Sequence, residues 1–109
     1  MPQDDAQAVA WYRLSAEQGR ADAQNNLAVM YDNGEGVTQD TAEALTWHRL
    51  AAEQGHAGAQ YALGCTYATG QGVPQDYVQA HMWFNLSAAQ GDEEALNNRD
   101  LAATLMTPA

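Results

Sequence analysis

The residues of this chain that could do chemistry are few, and most of them recur at a fixed spacing. DNGEGVTQD (32–40) and TGQGVPQD (69–76) both carry Gly-x-Gly followed by an acid, the opening of a phosphate-cradling loop. A dinucleotide loop also needs a preceding strand, a third glycine and a helix starting directly on it. Neither stretch offers these, and a catalytic loop seldom occurs twice in register, so both read as turns. Trp11, Trp47 and Trp83 have the ring area to stack a base or a sugar. Their identical spacing instead predicts core positions, each burying a large apolar surface.

His48, His56 and His81 fall at three different repeat positions, matching Tyr12, Arg20 and Val9, so they point in different directions and have no metal-ligand spacing. Cys65 is the single cysteine, which excludes an internal disulfide and a multi-cysteine zinc site. It matches Val29 and Leu101 and reads as a small apolar residue with no base placed beside it. Asp22, Glu93 and Glu94 belong in first turns of helices, where carboxylates favour the helix dipole. No catalytic, cofactor-binding or metal residue is assigned, and no cofactor is expected.

The elements that position these side chains follow from a period of 36 residues without insertion. Nine positions are identical in three units, among them Asp4/Asp40/Asp76, Trp11/Trp47/Trp83, Leu14/Leu50/Leu86, Gln18/Gln54/Gln90 and Gly19/Gly55/Gly91. Such a period signals a repeat architecture. From Asp40, the residues Ala44, Trp47, Leu50, Ala51 and Ala52 are expected on one helical face, with Asp40 and Glu43 as a capping box. Gly55 ends that helix. A shorter helix with Ala59, Leu63, Gly64 and Tyr67 inward follows and ends at Gly70. The fold class is therefore all-α, about six helices in one domain of 1–109, with units 3–38, 39–74 and 75–109.

Bulk composition narrows the function. The chain has 109 residues, 46% hydrophobic and 17% charged, with a net charge of −10 carried against four arginines and no lysine. Nucleic acid and an anionic membrane surface both need a basic patch, so neither is an expected partner. A basic protein or peptide suits the acidic balance. No run is long and apolar enough to span a membrane, and Met1–Asp5 has no signal-peptide character, so the chain reads as cytoplasmic as written.

The pattern A.AQ..L..MY..G.GV.QD...A..W...AAEQG, from Ala21 to Gly55, resembles the Sel-one-like repeat (SLR) family, a bacterial-rich branch of the tetratricopeptide-like solenoids. The resemblance covers nearly the whole chain. It implies antiparallel pairs of helices, A then B, stacked in a right-handed superhelix with A helices on the concave face. It also implies an adaptor that assembles protein complexes, exported in many bacterial members if this chain is part of a longer one. The concave positions would be Asp22, Asn25, Val29 and Asp32, then Tyr61, Cys65 and Ala68, then Glu94, Asn97 and Leu101, a surface for a peptide with basic residues. On this reading the chain opens on a B-type helix (4–18) without its A partner. At the other end, Arg99 and Asp100 replace Leu27/Leu63 and Ala28/Gly64, and the segment through Pro108 forms a polar cap. The alternative function is self-assembly, a homodimer through the open face of Ala8, Trp11 and Leu14. The cysteine-rich SLR branch, reported to bind or hydrolyse penicillin-type compounds, is the remote third, since one cysteine cannot supply its disulfides.

Overall fold

Asp4, Asp40 and Asp76 each open a helix by accepting the backbone N–H of the residue three further on, Gln7, Glu43 and Gln79, at 3.3, 3.1 and 3.1 Å. These bonds satisfy donors that a helix start leaves without partners. The computed structural model describes residues 4–106, and Gln3 and Pro108, the latter expected to end the last helix, lie outside them. The described chain is α1 (Asp5–Glu17), α2 (Ala21–Asn33), α3 (Thr41–Glu53), α4 (Ala57–Thr69), α5 (Tyr77–Ala88) and α6 (Glu93–Met106), with no strand among the described residues. The helix expected to be the shorter of each period is not: α2, α3 and α4 have 13 residues each.

Each helix packs on the next in chain order, giving a solenoid of 51 × 25 × 25 Å. Its core divides into three clusters. The first joins Val9 and Ala16 of α1 to Ala23, Leu27 and Met30 of α2, with Trp47 of α3 laid against it. The second joins Ala51 and Ala52 to Ala59 and Leu63, with Trp83 of α5 against it. The third is built from Ala80, Phe84, Ala95 and Ala102. Trp47 and Trp83 thus each cover the helix pair before their own.

Two expectations are corrected here. Trp11 is 65% exposed, because no described helix pair precedes α1 for it to cover. Leu14, Leu50 and Leu86 are exposed rather than core. The buried stripe of α3 runs through Ala44, His48, Ala51 and Ala52, an i, i+4, i+7, i+8 row that leaves Leu50 off its edge. The ring that fills the core is the one after the tryptophan: His48 is 4% and Phe84 2% exposed.

The glycine loops serve as spacers. Gly36 and Gly72 have φ of 73° and 78°, and a Cβ on Gly36 would stand 2.4 Å from the backbone of Asp5. On Gly72 it would stand 2.8 Å from Thr41 Cγ2. The loop after α2 therefore lies on the start of α1, and the loop after α4 on the start of α3, where only glycine fits. Gln39 and Gln75 clamp the same loops by donating to Asp32 O and Ala68 O at 2.7 and 2.8 Å. A second glutamine ladder ties unit to unit. Buried Gln24 and Gln60 donate to Ala16 O and Ala52 O, and accept from Gln54 and Gln90 at 2.8 and 2.9 Å.

Candidate functional site

The last turn of the solenoid breaks the pattern of the first two, and a recess results. In α1–α2 and α3–α4, arginine reaches tyrosine 18 residues on: Arg13 donates to the Tyr31 hydroxyl, and Arg49 to that of Tyr67 at 2.9 Å. One period later the pair reads Asn85 and Ala103, and Ala102 stands where Met30 and Thr66 stood. Arg99 compensates by donating to Asn85 Oδ1 at 3.1 Å, as well as to Asp100. The small residues on α6 leave a recess of about 190 Å³ walled by α4, α5 and α6. Cys65, Ala68, Phe84, Leu101, Ala102 and Leu105 give it an apolar lining, and Thr69, Tyr77 and Asn98 complete it. Leu101 and Leu105, on α6, are 58% and 51% exposed.

Polar groups crowd one side of this recess. The Tyr61 ring lies 5.7 Å from that of Phe84, and its hydroxyl accepts from Asn98 Nδ2 at 3.0 Å. Burial, with the neighbouring Cys65 and Glu94, pushes the Tyr61 phenol up to about 12. Burial also raises the Cys65 thiol, with Glu94 and Asp92 adding to the effect and a hydrogen bond with Tyr61 opposing it. A thiol raised in this way stays protonated at neutral pH and is a poor nucleophile. None of the three ion pairs among the described residues uses Asp92 or Glu94. Asp92 caps α6 by accepting from Ala95 N at 3.1 Å.

Of the positions expected on the concave face, Tyr61, Cys65, Ala68, Glu94 and Leu101 come together here, and Asn97 is exposed on the same helix as Glu94 and Leu101. The others lie elsewhere. Asp22 Oδ1 is 3.0 Å from His56 Nε2, while His56 Nδ1 accepts from Ala59 N, so this ring bridges α2 to the start of α4. The Asn25 amide approaches the same ring's neighbour, Gly58. Val29 faces α1 in a shallow depression shared with Asp5, Ala8 and Tyr12. Asp32 Oδ2 is 3.9 Å from His48 Nδ1, beyond hydrogen-bond range. Burial lowers His48 to about 4, with His56 adding to it, and burial raises Asp32. His48 is thus a neutral core ring whose Nε2 has no hydrogen-bond partner among the described residues. Among the described residues no three His, Cys, Asp or Glu side chains gather as a metal site.

Phe84, Asn98, Ala102 and Leu105 were not legible as site residues from the periodic positions alone. Their signal was the lost tyrosine at Ala103 and the unmatched Leu101/Leu105 pair, one turn apart on α6.

The model of the Sel1 repeat matches residues 1–19, 21–56 and 57–92, almost the whole chain. The chain belongs to the Sel1 repeat family. The matched segments pair α2 with α3 and α4 with α5, and set α1 apart as a single helix. Among solved structures, a Sel1 repeat protein from Oxalobacter formigenes is 37% identical with a TM-score of 0.88, over 93% of this chain and 42% of that one. A protective antigen of uropathogenic Escherichia coli strains, displaying an SLR fold, is 48% identical with a TM-score of 0.84, over 87% of this chain and 20% of that one. The chain therefore spans less than half the length of either. Among curated proteins, none matches it. No described helix is long and apolar enough to cross a membrane.

Proposed function

We propose that this Sel1 repeat chain is a non-enzymatic scaffold, one domain of three repeat units, that holds a protein or peptide segment of basic character on the face of α2, α4 and α6. Sel1 repeats are in general helical scaffolds for protein interaction. The observation that carries the finer reading is the recess between α4 and α6, apolar inside, with Glu94 one turn before its lining residue Asn98 on α6 and in no ion pair among the described residues. An acidic chain of net charge −10 attracts basic segments from a distance and sets their encounter rate. The protonated Cys65 thiol speaks against covalent catalysis at this site. The test is an array of basic and acidic peptides probed with the native chain, with Asp22→Arg/Glu94→Arg, and with the control Glu17→Arg on α1. Basic peptides should bind the native chain and the control, and lose the double variant. Equal binding by all three proteins, or none by any, sinks the reading.

A second reading has its own observation. Trp47 and Trp83 each lie against the preceding helix pair, whereas the same residue of α1, Trp11, borders an open depression with Tyr12, Ser15 and Arg20. Gln18, the period-mate of the ladder residues Gln54 and Gln90, makes no side-chain hydrogen bond among the described residues. This face is built to receive another surface, and a second copy of the chain would make a symmetric dimer. Light scattering across a concentration series distinguishes the states: a mass of 11.8 kDa throughout rejects the dimer.

A further inference from the structure

We infer that the recess between α4 and α6 is an anchor pocket for one apolar side chain, of leucine, methionine or phenylalanine size, carried by a protein segment with lysine or arginine next to that anchor. The inference rests on the scaffold reading above and gives it a specificity-determining site.

Size decides the class of occupant. Small-molecule and cofactor sites usually enclose about 300–1,000 Å³. The recess holds about 190 Å³, closer to the roughly 150 Å³ of an apolar cavity that accepts one benzene ring. One ring or one branched side chain fills it. Its deeper wall is rigid: Phe84 is buried against Gly64, where a Cβ would stand 2.5 Å from the Phe84 ring, so the floor cannot sink toward α4. Its rim is open, since Leu101 and Leu105 are more than half exposed on the side a partner would approach.

Charge decides what flanks the anchor. Glu94 stands on α6 one turn before Asn98 of the lining, at the edge of the recess, and its charge, with that of Asp92, acts on Cys65 in the wall. The guanidinium on the same helix, Arg99, is held by Asp100 and Asn85 instead. A carboxylate next to an apolar recess and without a cation attracts a cation seated next to an apolar group. Lysine or arginine beside the anchor meets Glu94 while its stem lies along the rim. An acidic residue there would be repelled.

The single cysteine makes the test site-specific. The probes are the blocked peptides GSKKFKKSG, GSKKAKKSG and GSEEFEESG, each titrated into the full chain, with affinity read by calorimetry and occupancy by protection of Cys65 from iodoacetamide. The phenylalanine peptide with lysines should bind and slow alkylation. Its alanine counterpart should bind roughly tenfold or more weakly, as expected when one large apolar side chain loses its burial. The glutamate peptide should not bind. Leu105→Asp, at an exposed rim position that leaves the core untouched, should weaken the first peptide at least tenfold, and Glu94→Gln should weaken it while narrowing its advantage over the glutamate peptide. Equal affinity of the phenylalanine and alanine peptides, or binding indifferent to Leu105→Asp, overturns the pocket. In that case binding still abolished by Asp22→Arg/Glu94→Arg keeps the scaffold reading, whereas no binding by any basic peptide overturns both.

Discussion

His48 should make the fold acid-sensitive in a window that its own protonation defines. The ring is 4% exposed, lowered to about 4 by burial and by His56. Asp32 of α2 faces it at 3.9 Å, too far for a hydrogen bond that would hold the charged form. The folded pKa lies below the unfolded value of about 6.5. Between pH 6.5 and 4 the unfolded chain therefore binds more protons, and acid favours unfolding. The contribution of a neutral His48 is complete above about 6.5 and lost as the pH falls toward about 4. Applied between pH 7.5 and 5.0, the linkage relation gives a loss of about 2 kcal/mol from this one ring. Asp32, raised by burial, acts with the opposite sign, so it does not mimic the effect.

The control comes from the chain itself. One period on, the same two positions are Gly64 and Phe84, packed so closely that a Cβ on Gly64 would stand 2.5 Å from the ring. Ala28 and His48 hold the earlier slot, both buried. Ala28→Gly/His48→Phe transplants the later pair and removes the titrating ring without overfilling the core. The new helical glycine costs about 1 kcal/mol, but equally at every pH. Urea unfolding followed by tryptophan fluorescence, at pH 7.5 and 5.0, should show the native chain losing about 2 kcal/mol more than the variant over that step. Equal losses in the two proteins would refute the assignment of a buried, uncharged His48.

Three further outcomes follow from packing. Trp47→Ala should cost about 3–5 kcal/mol, and Trp11→Ala under about 1, because Trp47 covers a core cluster and Trp11 is exposed; denaturant midpoints check the ratio. Gly64→Ala should cost about 1–3 kcal/mol through its clash with Phe84, and adding Phe84→His should recover part of it, a coupling that a double-mutant cycle measures. Gln60→Leu should cost about 1–3 kcal/mol, since it leaves the buried-side bonds to Ala52 O and Gln90 unmade, while Gln18→Leu, whose side chain makes no hydrogen bond among the described residues, should fall within about 0.5.

The period was legible because every unit solves the same packing problem, and the caps Asp4, Asp40 and Asp76 and the turn glycines Gly34 and Gly70 stand where the sequence placed them. What repetition does not reveal is which neighbour a residue faces. Trp11 and Trp47 are identical by period, yet one covers a helix pair and the other is open, since the difference lies in the preceding unit and not in their own. Leu50 and His48 invert the order hydropathy gives them, because the stripe of α3 is set by the small residues Ala44, Ala51 and Ala52 that let α2 and α4 approach. Close backbones exclude a leucine on that line and admit a flat ring. The same logic locates the recess. The third unit has exchanged Tyr for Ala103, Arg for Asn85 and Leu for Arg99, and the space and charge so released gather around Cys65 and Glu94. Departure from the repeat, rather than the repeat, is what opens the recess between α4 and α6.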